Sequence, residues 1–409
     1  MIFKTIYSRI YQKVLFLASQ LLIKTPEPIL MEGERSIRQT IDILKKEQKN
    51  PVMIISDPFV KTLQPVVELL QLMDEHAIQY TLFDQVMPNP TIDAIEAALS
   101  LYNREKLTAV VAIGGGSVID LAKAMLARVV RPNKTIPQLK GILKVGRKIP
   151  LLIAVPSTAG TGSEATLAAV VTNAKTLEKY AINDPHLVPQ YAILDPLLTK
   201  DLPKQLSATT GLDALTHAVE AYIGCANTKK TIHASEEAIR LIYKHIGPSV
   251  FDPSNMESRA KMQKAAYLAG FAFTRAYVGN IHAIAHTLGG FYNVPHGLAN
   301  AVIMPLVLKK YGSKIHSKLA RLADLAHVCG PRDRDEEKAN KFIHSIEDMN
   351  LKFGLPRWFD VIQETDISVM AARAEQEANP LYPVPVLFSK QDFESIYHQV
   401  TRKLEYIQD

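Results

Sequence analysis

Residues 108–126, TAVVAIGGGSVIDLAKAML, constrain the fold of this chain more than any other stretch. An apolar, β-branched run (108–113) breaks at Gly114, Gly115 and Gly116, and a helix-like pattern follows, so the order is strand, glycine turn, helix. Further apolar runs at 52–55, 80–83 and 151–155 alternate with helical stretches such as PVVELLQLMDEH and TIDAIEAALSLY. Strands separated by helices pair through crossovers, which predicts a parallel sheet flanked by helices. Beyond Leu202 and Pro203 helical patterning takes over, with breaks at Gly247-Pro248, Gly330-Pro331 and Gly354-Leu355-Pro356. The expectation is an α/β domain over 28–202, an all-α domain over 203–409, and a helical extension over 1–27. With 409 residues, 47% of them hydrophobic, the chain can fill two cores.

The glycine turn suits a phosphate. Gly115 and Gly116 let backbone N–H groups approach closely, and the following helix N-terminus adds partial positive charge. The spacing is not G-x-G-x-x-G, and GGGS alone could be a tight turn. A second polar loop, PSTAGTGSEAT, follows the run LLIAV and offers Ser157, Thr158, Thr161, Ser163 and Thr166. Two such loops suggest a dinucleotide. Asp57 ends the strand PVMIISD, where a carboxylate can accept from ribose hydroxyls and repel a 2′-phosphate, favouring NAD over NADP. The same Asp before Pro58 could equally cap a helix.

In the second half, GLDALTHAVEAY places Asp213 and His217 one helical turn apart, and GNIHAIAHTLGGFYNVPHG supplies His282, His286 and His296. With twelve histidines, some fall at helical spacing by chance; His245, His316, His344 and His398 are expected at the surface or its boundary. Two histidine segments set in small, apolar residues are harder to dismiss, because a buried imidazole cluster with a carboxylate is costly without a metal or hydrogen bonds. Asp213, His217, His282 and His296 suit Fe(II) or Zn(II) with a coordination position left for substrate.

Taken together, GGGSVIDLAK, PSTAGTGSEAT, AILDPLLT, TTGLDALTHAVEAY and GNIHAIAHTLGGFYNVPHGLANAVIMP resemble, in this order, the iron-containing (group III) alcohol dehydrogenases. The resemblance covers about residues 30–405 and implies a Rossmann-like dinucleotide-binding domain followed by a helical metal-binding domain, an architecture shared with dehydroquinate synthase. It implies that Asp213, His217, His282 and His296 hold Fe(II), with Zn(II) as the alternative ion, and that His286 lies near the nicotinamide. Cofactor contacts carry over to Asp57, Asn89, Gly115, Gly116, Ser117, Ser157, Thr158, Thr166, Lys179 and Leu198. Ser157 stands where the family often has threonine; a hydroxyl remains. The implied activity is hydride transfer between a primary alcohol or aldehyde and NAD(H). His286 would carry a proton between substrate or cofactor ribose and solvent, or act only as a hydrogen-bonding support. A homodimer is the implied assembly.

Two other classes share parts of this pattern. A metal- and NAD-dependent lyase of the dehydroquinate-synthase type would need a basic cluster for an anionic substrate, whereas ALTHAVEAYIG and AIAHTLGGFYNV are apolar and neutral. A non-catalytic nucleotide sensor would not need all four ligand candidates and His286. Phe271, Phe273, Tyr277, Phe291 and Tyr292 are candidates to line a substrate pocket, although core packing explains aromatics equally.

The net charge of +6 is dispersed and aromatic content is 7%, so no nucleic-acid stripe stands out. Cys225 and Cys329 are too few for a disulfide framework and fit a reducing cytoplasm. Residues 1–24 carry Phe3, Ile6, Ile10, Val14, Leu17 and Leu21 at helical spacing. No small-x-small cleavage pattern follows, and the apolar run is too short to span a bilayer. The expectation is a helix packed on the catalytic body or a partner subunit, with a membrane-surface role the lesser reading.

Overall fold

Strand residues 52–55, 109–114, 151–156 and 191–194 are buried on both faces, which requires a helical layer on each side of the sheet. The computed structural model, which describes residues 2–22, 24–174 and 178–401, has that arrangement. In chain order the strands are β1 (Ile29–Glu32), β2 (Val52–Ile55), β3 (Tyr80–Phe83), β4 (Ala109–Gly114) and β5 (Gly141–Ile142). They continue with β6 (Leu151–Pro156), β7 (Ala168–Asn173), β8 (Glu178–Asn183) and β9 (Tyr191–Leu194). Six form one sheet in the order β1-β9-β6-β4-β2-β3, every pair parallel.

Alternation along the strands divides the two cores. Met53, Ile55, Val110, Ala112, Leu152 and Ala154 meet Ile95 and Leu99 of helix Ile92–Arg104 and Leu121 and Met125 of helix Gly116–Val130. On the other face Val52, Ile54, Val111, Ile113 and Ile153 meet Ile41 and Leu44 of helix Gln39–Lys46 and Val66, Leu69 and Met73 of helix Gln64–Glu75. The chain winds outward from β2 to β3 but the other way from β4 to β6. That reversal opens a crevice at the carboxyl ends of β2 and β4, the usual ligand position of such sheets. Asp57 follows β2 there, and the glycine turn follows β4. Strands β5, β7 and β8 form a small separate sheet that carries Lys179 on β8.

The helical domain is built around helix Lys204–Ile223, buried on nearly every face from Ala208 to Ala221. Such a helix belongs in a core rather than on a surface. It packs against helices Lys229–Phe251, Met256–Ala276 and His296–Tyr311. The second polar loop reaches this domain at Gly162, whose φ is +61° and where a Cβ would sit 2.6 Å from the Ala266 carbonyl oxygen. Only glycine permits both the backbone and the approach.

The extension is a helix, Ile2–Leu22, and it is held on the catalytic body through its polar side rather than its apolar stripe. Arg9 donates to the carbonyls of Val384 (2.6 Å) and Pro385 (2.9 Å), and Gln12 Nε2 donates to that of Tyr382 (2.6 Å). Segment 382–385 presents main-chain acceptors, so it recruits the polar side of the helix. Ile6, Ile10, Val14 and Leu17 therefore point outward, 50% to 60% exposed. The side chains of Phe3 and Leu21 lie outside the described residues. Among the described residues no helix is long and apolar enough to cross a membrane.

Candidate active site

Three helices of the second domain bring the titratable residues together. Asp213 and His217 lie on one face of helix Lys204–Ile223, His282 and His286 on helix Asn280–Tyr292, and His296 begins helix His296–Tyr311. The last helix crosses tightly because residue 297 is glycine: a Cβ there would lie 2.4 Å from the Thr209 carbonyl oxygen and 3.3 Å from Asp213 Cβ. Ligand atoms of Asp213, His217, His282 and His296 all fall within 4.8 Å of one another.

Burial pushes the pKa of His217 down to about 4, that of His282 to about 3, and that of His296 well below the usual histidine range. The imidazoles are thereby neutral, the form that donates a lone pair. His217 Nδ1 is buried with no hydrogen-bond partner and stands 4.0 Å from Asp213 Oδ2. An orphaned nitrogen in a closed carboxylate and imidazole cluster is unfavourable unless a cation takes its lone pair, so the donor set fits a divalent transition metal.

Two residues that sequence reasoning missed hold this set in place. Glu220 accepts at 2.8 Å from the amides of Gly279 and Ile281 and, at 2.6 Å, from His282 Nδ1, which leaves Nε2 for the cluster. Burial raises the Glu220 pKa to about 7. A Cβ at position 279 would meet Glu220 Oε1 at 2.6 Å, so glycine there admits the carboxylate. Asn300 Nδ2 donates to Asp213 Oδ1 (2.7 Å) and lies 3.2 Å from Nε2 of both His282 and His296. The signal was available: Glu220 is three residues beyond His217, and Asn300 four beyond His296, each on its partner's helical face.

His286 stacks on His296, ring centroids 5.2 Å apart, and its Nδ1 lies 2.6 Å from Glu377 Oε1, which also accepts from the Tyr382 hydroxyl at 2.7 Å. Glu377 comes from the last turn of helix Glu364–Ala378 and Tyr382 from the segment that joins it to helix Lys390–Val400; neither had a sequence signal.

On the first domain, Gly115 caps helix Gly116–Val130. A Cβ on Gly116 would sit 2.8 Å from Thr161 Cγ2, so the two polar loops meet without room for a side chain. Ser117 Oγ accepts from the Asn89 amide (3.2 Å), and Asn89 Oδ1 accepts from Lys179 Nζ (2.9 Å). The second loop is fixed by Lys123, also missed: fully buried, its Nζ donates to the carbonyls of Ser163, Thr166 and Ala168 and to the hydroxyls of Ser163 and Thr166. Burial lowers its pKa to about 8. The Thr166 hydroxyl, expected to face a cofactor, is thus engaged by a lysine.

The two halves face one cleft of about 790 Å³. Asn89, Gly116, Ser117, Thr166 and Lys179 line one wall, and Asp213, His217, His282, His286 and His296 the other. Asp57, Gly115, Ser157, Thr158 and Leu198 lie outside that lining. Ser157 and Leu198 are buried at 2% and 1% exposure. Asp57 Oδ1 accepts from the amides of Phe59 (3.0 Å) and Val60 (2.8 Å) and so closes the turn into the short 3-10 helix Val60–Thr62, although Phe59 and not Asp57 holds the N-cap position. Of the aromatic candidates, Phe273 and Tyr277 line the cleft. Phe271 and Phe291 instead lie beneath Arg275 and Arg373, and the Tyr292 hydroxyl donates to Asp366. His245, expected at the surface or its boundary, is buried beside the Ser258 hydroxyl.

Residues 27–196 match the family described as iron-containing alcohol dehydrogenase, and residues 207–401 match its C-terminal domain. The chain belongs to the iron-containing alcohol dehydrogenase family. It is 32% identical over 371 residues to alcohol dehydrogenase 4 of Saccharomyces cerevisiae, covering 90% of this chain and 96% of the relative. It is 35% identical over 353 residues to 1,3-propanediol dehydrogenase of Klebsiella pneumoniae, covering 85% and 90%. A crystal structure of 1,3-propanediol oxidoreductase superposes with a TM-score of 0.88 at 32% identity, covering 92% of this chain and 99% of that one. The chain is thus an oxidoreductase of the alcohol dehydrogenase type, with the fold anticipated from its strand and helix alternation.

Proposed function

We propose that the enzyme transfers hydride between a primary alcohol or aldehyde and NAD(H), with iron held by Asp213, His217, His282 and His296. The observation that carries this reading is the single cleft with a four-donor cluster on one wall and a glycine-opened helix N-terminus on the other. When bound, the ion supplies Lewis-acid polarisation of the substrate oxygen, and the dinucleotide exchanges hydride. Zn(II) is the alternative ion, since three imidazoles and a carboxylate accept either. Gly115, Gly116 and Ser117 direct amides at phosphate, while Asn89 and Lys179 close the adjoining wall. Ser157, Thr158, Thr166 and Leu198 serve as supports of the dinucleotide loops. The Asp57 charge disfavours a 2′-phosphate.

His286 moves a proton. Glu377, itself held by the Tyr382 hydroxyl, keeps the His286 ring against His296, and Phe273 and Val278 add apolar surface to the cleft. The reading takes the enzyme to be cytoplasmic, supported by its two free thiols, Cys225 and Cys329, and to assemble as a homodimer. The test is metal analysis of anaerobically purified protein, alongside an alcohol and aldehyde panel with NAD and NADP. His282→Ala is expected to lose bound metal and turnover while dinucleotide affinity is retained. Full activity in a metal-free His282→Ala protein would overturn the assignment.

A further inference from the structure

The N-terminal helix is docked with its polar side inward, so its exposed apolar side has no partner among the described residues. Around the helix, Ile6, Tyr7, Ile10, Tyr11, Val14 and Leu17 form one continuous outward face, with Tyr7 and Tyr11 adjacent at 6.2 Å between ring centroids. Ser8 and Gln12 occupy the buried side. Rotating the stripe inward would break the bonds from Arg9 and Gln12 to the carbonyls of residues 382–385. Exposed patches of this kind mark docking surfaces.

Charge identifies the occupant. Residues 1–26 contain Lys4, Arg9, Lys13 and Lys24 and no acidic residue. Lys13 is exposed beside the stripe, and beyond the helix exposed Lys24 and Lys229 line the rim of the cleft. The acidic group near that rim, Glu27, is paired with Lys230 at 3.5 Å. A second copy stacked through the same face would bring two cationic helices together, whereas an anionic lipid surface complements both the apolar face and the flanking charge. Tyrosines suit the headgroup level. We propose that the enzyme binds anionic membrane surfaces through the outward face of helix Ile2–Leu22, lying on the bilayer without crossing it.

The experiment is co-sedimentation of the full-length protein with vesicles of phosphatidylcholine alone or with about one-third phosphatidylserine, at low and high salt. Wild type is expected to pellet with the anionic vesicles, much less with the neutral ones, and to be released by salt. Ile6→Ser, Ile10→Ser and Val14→Ser combined should weaken vesicle binding by more than about tenfold. Its alcohol oxidation in buffer should be unchanged, which also reports an intact fold. Lys13→Glu should weaken binding to anionic vesicles more than to neutral ones. Failure of wild type to pellet, or equal pelleting of wild type and the triple variant, would overturn the proposal. So would a change of sedimentation coefficient in the triple variant without vesicles, because the face would then be covered by a second copy.

Discussion

Glu220 is the residue on which the geometry of the candidate metal site turns. It fixes the His282 ring through one carboxylate and is itself fixed by two backbone amides. Glu220→Gln keeps the shape but forces an amide into a pocket where Gly279, Ile281 and His282 all donate. Metal affinity is expected to fall about 10- to 100-fold, measured by competition with a chromogenic chelator. Asp57 permits a cleaner separation of its two readings than deletion of its side chain. Asp57→Asn retains the oxygen that accepts from Phe59 and Val60 and removes the charge. If the carboxylate excludes a 2′-phosphate, the NAD to NADP ratio of kcat/KM should fall while the melting temperature holds. An unchanged ratio would leave Asp57 only the role of closing its turn.

At the scale of elements, the meeting of the two polar loops is a packing constraint as much as a binding site. Gly116→Ala would press a methyl against Thr161 and should raise KM for the dinucleotide with little effect on metal content. Adding Thr161→Ala, which removes the opposing Cγ2 and hydroxyl, should recover part of the loss; steady-state kinetics of the single and double variants decide it. How much of this could be read from sequence depended on range. Strand and helix alternation is local, so the sheet and the helical half were legible, and i,i+4 spacing exposed Asp213, His217 and His282. His296 joined them through its position after a Gly-Gly break and through family resemblance. Glu377 and Tyr382 reach His286 from about ninety residues away in sequence, and no periodicity encodes such a contact. Lys123 was hidden for another reason: a lysine in DLAK reads as a solvated helix face, and it is the carbonyls and hydroxyls of the second polar loop that make its burial tolerable. The N-terminal stripe was seen, but its direction was set by backbone acceptors in segment 382–385 that the sequence does not mark.

For the whole molecule, the division of labour between domains has a consequence for how it unfolds. The four donors span residues 213 to 296 on three helices of one domain, whereas the sheet contributes none. A bound ion is therefore a cross-link within the helical half: it ties together segments that would be far apart in an unfolded chain and removes that loop-closure freedom. At free metal about 100-fold above its Kd the folded state should gain about 2.7 kcal/mol. Calorimetry before and after chelation is expected to show a lower melting temperature for the helical half, with the sheet domain's transition little moved. Loss of metal would then show up as heat sensitivity and protease cleavage among residues 204–401 as well as lost turnover, and the cofactor would act as a staple of the scaffold that holds it.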